Sequence, residues 1–318
     1  MAEIGKDVRR AKSYLEKGEL VAIPTETVYG LAANALDPLA VTKIFITKER
    51  PSFDPLIIHV ASADQVNQFV EYIPEQAKKL INHFWPGPLT VLLPKKSIIP
   101  DLVTSGLSTV GIRCPDHPLT QQLLQSLEFP LAAPSANPFG YISPTSAQHV
   151  QDQLGSKIHY ILDGGLCEIG LESTIIGFEE GNVALYRRGG VNDDQITNVV
   201  GPIKLKLSSS SNPLAPGQLE SHYAPKKMFL LGNIETLEKK YGNVKKGVLR
   251  FQQNSDHQKH TLYLSKSGDL NEAARNLFTL LRQLDNMEVD IILAEPVPDV
   301  GIGKAINDRL RRAAVKHE

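Results

Sequence analysis

The chain has 318 residues, is 42% hydrophobic and 22% charged, and carries a net charge of −1. The length allows two domains with cores of their own, and the charge argues against a protein held on nucleic acid by bulk electrostatics. Two cysteines, Cys114 and Cys167, imply no disulfide framework and suit a reducing cytoplasm.

The N-terminal stretch "MAEIGKDVRRAKSYLEKGEL" lacks the apolar core of a signal peptide. No apolar run reaches the ~18 residues needed to span a bilayer. Residues 7–17 are expected to form a helix with Val8, Ala11, Tyr14 and Leu15 on one face. "LVAIP" is expected as a buried strand ending at Pro24, followed by a helix over 38–47 and the strand "PLIIHV". Helices are expected over 63–71 and 74–84, the second stopped by "WPGP", then strands over 89–93 and 108–113. A helix over 117–127 feeds the strand "PLAAP". Ser143 is expected to cap a helix running to 153, because Pro144 suits the first helical position. Further strands are expected at 158–162, 173–178 and 183–187.

"KLKLSSSSNPLAPGQLESHYAPKK" breaks this rhythm and reads as a linker over 206–226. It separates a larger domain, 1–205, from a small α/β domain, 227–318. In the latter, "KMFLLG", a helix, "GVLRF", "TLYLS", the helix 269–287, "VDIILAEPV" and the helix 303–315 alternate strand with helix.

The common chemical signatures are missing. "GIGKAI" lacks the spacing of a phosphate loop, no G-x-G-x-x-G follows a strand, and no G-x-S-x-G elbow is present. His257 and His260 sit in a polar loop without partners in metal-ligand register. What remains are polar residues placed at strand ends. Thr25 and Thr27 follow "LVAI", Lys48 and Arg50 close a helix, and His59 interrupts an apolar strand. Alone, these read as turn residues, helix-dipole charges and a core histidine. Arg113 is harder to dismiss: a guanidinium in an apolar strand needs an anion, and the nearby sequence offers only Asp116. "PSANP" at 134–138 ends a buried strand in small polar residues between prolines, where an α/β protein holds a ligand.

Together, "IPTETVYGLAANA", "KERPSFDPLIIHV", "WPGPLT", "STVGIRCPDHP", "PLAAPSANPFGYISPT", "DGG" and "LESTII" resemble, in order, the threonylcarbamoyl-AMP synthase family. "APGQLESHYAP" resembles the linker of its longer members, so the resemblance covers essentially the whole chain. It implies an α/β protein with a YrdC-like twisted mixed open sheet flanked by helices, followed by a small Rossmann-like domain. It also implies synthesis of threonylcarbamoyl-adenylate and pyrophosphate from L-threonine, bicarbonate or CO2 and ATP, with Mg2+ on the phosphates. The product serves tRNA threonylcarbamoyl-adenosine modification, so downstream tRNA threonylcarbamoyl-transferase proteins are expected partners. Stable direct tRNA binding and membrane association are not expected.

By the same resemblance, Lys48, Arg50, Ser135 and Asn137 form the catalytic signature. Arg50, Asp54, Thr109, Ser135, Ser143, Arg187 and Tyr223 are implied to bind ATP. Thr27, His59, Arg113, Ala133 and Ser173 are implied to bind threonine. Asp54 departs from the asparagine that members often carry, and would either ligate Mg2+ or turn away from the nucleotide. Tyr223 and residues 213–225 are expected to act as a lid that orders over ATP. Two other readings compete: a double-stranded RNA-binding module, and a carbamoyl-adenylate enzyme with another acceptor.

Overall fold

The computed structural model describes residues 1–207, 213–218, 222–253 and 260–314. His257, the serine run 208–211 and the linker residues 219–221 lie outside them. Eleven short strands form one mixed sheet. Their order is Glu3–Gly5, Tyr160–Leu162, Val21–Ile23, Gly30–Asn34, Leu131–Ala132, Ile57–His59, Thr109–Arg113, Leu89–Pro94, Thr174–Glu179, Asn182–Arg187 and Lys204–Leu205. A second, all-parallel sheet has the order Met228–Leu231, Ile291–Ala294, Lys246–Gln252, Thr261–Ser265. Among the described residues, no helix is long and apolar enough to cross a membrane.

Local chemistry explains the elements that frame the first sheet. Helix Val8–Glu16 starts where Asp7 accepts from the backbone of Arg9 and Arg10, and it buries Val8, Ala11 and Leu15. Helix Pro38–Lys48 is capped by Asp37 with proline in its first turn, and stops at Glu49, whose φ of 56° is left-handed. That stop aims Lys48 and Arg50 back toward the sheet. Strand Ile57–His59 runs parallel to Thr109–Arg113 with His59 opposite Arg113. The functional residues thus meet where strands end.

The two sheet units share a core. Val28, Ile142, Leu171 and Tyr223 belong to the same apolar cluster as Phe229, Leu277, Phe278 and Leu310. The helix Leu270–Asn286 supplies its buried face to this cluster and adds polar ties. Tyr141 donates to Asp285 at 2.6 Å, and Arg282 donates to the Ile142 carbonyl and, at 3.0 Å, to Gln153.

Two local expectations fail. Ser143 does not cap a helix: that helix is Ala147–Leu154, capped by Ser146, whose hydroxyl accepts from the His149 amide. Ser143 is fully buried and gives its hydroxyl to Glu172 instead. Residues 63–68 form a 3-10 turn rather than an α-helix over 63–71. The strand Gly30–Asn34 was unexpected because "GLAAN" is small and lacks alternation, yet it is central in the sheet.

Gly189 packs directly on backbone. A Cβ there would lie 2.2 Å from the Glu172 carbonyl oxygen and 2.5 Å from the Thr174 nitrogen. Gly189→Ala therefore displaces the segment carrying Glu172 and Ser173, a type of overpacking that costs on the order of 1–3 kcal/mol. The expected outcome is a lower Tm with weakened activity; wild-type values of both would show that this segment yields freely.

Candidate active site

One pocket gathers most of the singled-out residues. Thr27, Arg50, His59, Arg113, Ala133 and Ser135 line it from the first part of the sheet. Glu172, Ser173 and Arg187 close one side, and Pro216, Gly217, His222 and Tyr223 of the connecting segment cover it. Lys48, Asp54, Asn137 and Ser143 are buried but are not in the lining. Thr109 stands apart, half-exposed at the start of its strand and outside the lining.

At one end, Arg113 is the anchor. Its Nη1 donates to Thr27 Oγ1 at 2.9 Å and its Nε to the Gly87 carbonyl at 3.2 Å. Its anion is Glu26, with Nη2 and Oε1 2.6 Å apart and both side chains buried. Asp116, the partner suggested by proximity in sequence, is exposed and offers Glu26 only its backbone N–H, at 3.1 Å. The Arg113–Glu26 contact is close but not aligned as a hydrogen bond. The guanidinium edge therefore keeps donor capacity for a second carboxylate. Ser173 shares a hydrogen bond with Thr90 at 2.7 Å. His59 is 3% exposed, and its Nδ1 has no partner. Burial, followed by the Arg113 charge, pushes its pKa down to about 3, so the ring is neutral at working pH.

The other end is cationic. Arg50 donates to the Asp54 and Pro55 carbonyls at 3.0 and 2.8 Å and pairs with the Asp54 carboxylate at 2.9 Å. Asp54 is fully buried, and burial raises its pKa against the pull of Arg50, Lys48 and Arg187. Arg187 donates to the Ser173 carbonyl, Ser173 Oγ and the Pro216 carbonyl at 3.0–3.1 Å. Lys48 is a strut: its Nζ donates to the Ser135 and Asn137 carbonyls, each at 2.5 Å. Burial, and then the neighbouring Arg50, lower its pKa well below the ordinary range. Asn137 uses its amide in the same loop, donating to the Pro138 and Tyr141 carbonyls at 2.8 Å. These two residues shape the Pro134–Pro138 turn.

The connecting segment is packed as a strap. Ala215 joins the apolar cluster of Ile57, Leu92, Ile175 and Tyr186. Gln218 accepts from the Leu214 and Ala215 amides and donates to the Lys206 carbonyl. Tyr223, 1% exposed, stacks on Phe278 and lies beneath Arg309. With the strap in place, the remaining cavity is about 50 Å³.

Comparison with known proteins places this arrangement. A family model described as telomere recombination matches residues 13–189, and one described as the threonylcarbamoyl-AMP synthase C-terminal domain matches 191–315. The threonylcarbamoyl-AMP synthase of Pyrococcus abyssi is 42% identical over 320 residues, covering 96% of this chain and 94% of that one. This chain belongs to the threonylcarbamoyl-AMP synthase family. The Bacillus subtilis member is 40% identical, over 96% of this chain and 92% of its own. The crystal structure of P. abyssi Sua5 complexed with L-threonine superposes with a TM-score of 0.91 at 40% identity, covering 99% of this chain and 97% of that one. Escherichia coli YciO, at 20% identity and a TM-score of 0.53, shares the fold of the first unit.

Sequence reasoning missed Glu26, Glu172, His222 and Arg309. For the two glutamates the usable signal was electrostatic: a buried arginine needs an anion or carbonyls to meet it, and "TET" and "LES" supply carboxylates.

Two predictions follow from these burials. Glu26→Ala leaves the Arg113 guanidinium uncompensated, a change that typically costs about 3–5 kcal/mol. Thermal unfolding should show a large loss, and Glu26→Gln a smaller one; an unaffected Tm in Glu26→Ala would mean another anion holds Arg113. The second concerns pH. His59 takes up a proton near pH 6.5 when unfolded but only near pH 3 when folded. The unfolded state therefore binds more protons across that window, and stability present above pH 6.5 is lost on acidification, with a slope of up to about 1.4 kcal/mol per pH unit. His149, lowered to about 4 by burial, adds in the same direction. Denaturation midpoints between pH 7 and 5 should fall, and His59→Gln should flatten that fall. An equal slope in the variant would mean that His59 does not contribute.

Proposed function

We propose that this single pocket carries the whole reaction of the family, with threonine at the Arg113 end and triphosphate at the Arg50–Arg187 end. The chain is an enzyme, a nucleotidyltransferase that makes threonylcarbamoyl-adenylate and pyrophosphate from L-threonine, bicarbonate or CO2 and ATP. The reaction supplies tRNA threonylcarbamoyl-adenosine modification. The observation that carries the assignment of ends is the Arg113–Glu26–Thr27 constellation: one guanidinium, neutralised in the protein, with a donor edge left over.

Two steps are needed. The threonine amine attacks CO2 and loses a proton, giving a carbamate; a carbamate oxygen then attacks the α-phosphorus, and pyrophosphate leaves. Arg113 grips the α-carboxylate and so aims the amine. In this reading Thr27 and Ser173 read the substrate hydroxyl; both line the pocket, as does Ala133. Neutral His59 offers its free Nδ1 as an acceptor for an N–H or O–H; with its depressed proton affinity it orients rather than removes a proton. Arg50 and Arg187 supply the fixed positive charge that in-line transfer requires. Lys48 and Asn137 hold the turn that presents Ser135.

Among the described residues, no group of three or more His, Cys, Asp or Glu is placed to hold a metal ion. In this reading Mg2+ enters as the counterion of the ATP phosphates, as the family resemblance implies. Tyr223 and Gly217 line the pocket, so in this reading the strap lifts to admit ATP and its return shields the product from water. Handing the labile adenylate to the tRNA-modifying transferase is the partner interaction this reading implies.

Incubating the protein with ATP, bicarbonate and each amino acid in turn, and assaying pyrophosphate, tests the function. Release with threonine is expected. If Thr27 or Ser173 bonds the hydroxyl, valine is rejected by up to ~10⁴ and serine by only ~10–200. Equal turnover of valine and threonine would show that no side chain reads the hydroxyl, and no threonine-dependent pyrophosphate would sink the function. Arg113→Ala should lose threonine dependence while ATP still binds, and Arg113→Lys should rescue poorly. Wild-type activity of Arg113→Ala at low threonine would remove Arg113 from the site.

A further inference from the structure

The C-terminal unit reaches into the active site through one side chain. Arg309, on helix Gly303–Ala313, is 1% exposed although it belongs to a different sheet unit from the pocket. Its Nε donates to Glu172 Oε2 at 2.8 Å, its Nη2 to the Arg188 carbonyl at 2.8 Å, and its Nη1 to Asp308 at 2.8 Å. The guanidinium also lies 4.9 Å from the centre of the Tyr223 ring. Glu172 itself lines the pocket and is 6% exposed, and its other oxygen accepts from Ser143 at 2.5 Å. One pocket carboxylate is thus fixed at both oxygens, at one of them from nearly the far end of the chain.

That carboxylate poses a problem for the reaction. A buried negative charge beside a pocket that admits a triphosphate repels the substrate. Glu172 also acts electrostatically on Arg187, the guanidinium assigned above to the phosphates. Without Arg309, Glu172 and ATP would compete for Arg187, and Ser143 would lose its fixed partner. We infer that Arg309 is a positioning residue of the synthase reaction: it neutralises and holds Glu172, leaving Arg187 available to the nucleotide. The C-terminal unit is thereby a structural part of the ATP site. This inference rests on the placement of ATP proposed above.

ATP binding to the full chain, measured by calorimetry without threonine or bicarbonate, tests it. Arg309→Met should weaken ATP binding by about tenfold or more, while threonine affinity changes by less than about threefold. Adding Glu172→Gln removes the orphaned charge and should restore ATP affinity to within about threefold of wild type. A merely structural role for Arg309, through the Arg188 carbonyl or the Tyr223 ring, would gain nothing from that second substitution. Wild-type ATP affinity in Arg309→Met, or a double variant as weak as the single, overturns the inference. If Arg309→Met lacks a cooperative thermal transition, Arg309→Gln is read the same way: weakness relieved by Glu172→Gln supports it, and wild-type affinity or unrelieved weakness overturns it. Because ATP binding is read without turnover, absent pyrophosphate release in the wild type would count against the function and leave this result standing.

Discussion

Taking a guanidinium out of water costs several kcal/mol unless an anion or a set of carbonyls meets it, and this chain does so at Arg50, Arg113, Arg187 and Arg309 within one site. The surrounding structure is organised by that constraint. Arg50 is met by Asp54 and two carbonyls, Arg113 by Glu26, Arg187 by the Ser173 and Pro216 carbonyls, and Arg309 by Glu172 and Asp308. Three of the four thus have carboxylate partners of their own. Arg187 rests on neutral acceptors, which leaves it the most open to an anionic ligand. The graded neutralisation gives the pocket a direction, from a balanced end at Arg113 to a cation-rich end at Arg187.

The linker acquires its role from the same arrangement. A passive tether gains nothing from packing its aromatics, yet His222 and Tyr223 are both buried, His222 against Phe139 and Tyr223 against Phe278. Burial, with Arg50 and Lys48 next, holds the His222 pKa well below its ordinary value. A charged ring at that place would add to an existing excess of positive charge. The strap therefore contributes bulk and neutral polar surface to a crowded cationic pocket.

Much of this was legible from residues alone. Buried runs such as "LVAI" and "PLIIHV" marked strands, and polar residues at strand ends meet in one pocket. The failures share a cause. Ser143 followed by Pro144 satisfied the local rule for a helix start, but a carboxylate 29 positions away took its hydroxyl. Asp116 was near Arg113 in sequence, while Glu26 was near it in space. Thr109 shares the strand of Arg113 but sits at its opposite end, some 13 Å away at ordinary strand rise. Pair interactions across the sheet are invisible to periodicity and capping rules, which read only neighbours along the chain.

The apolar cluster that joins Val28, Ile142 and Leu171 to Phe278, Leu277 and Leu310 has a thermodynamic consequence. Neither sheet unit can open without exposing surface that the other buries, and Tyr223 sits between them. Denaturant should therefore meet a single cooperative transition whose steepness reflects the area buried by both units together. The unit that does chemistry and the unit that braces it through Arg309 share one melting event.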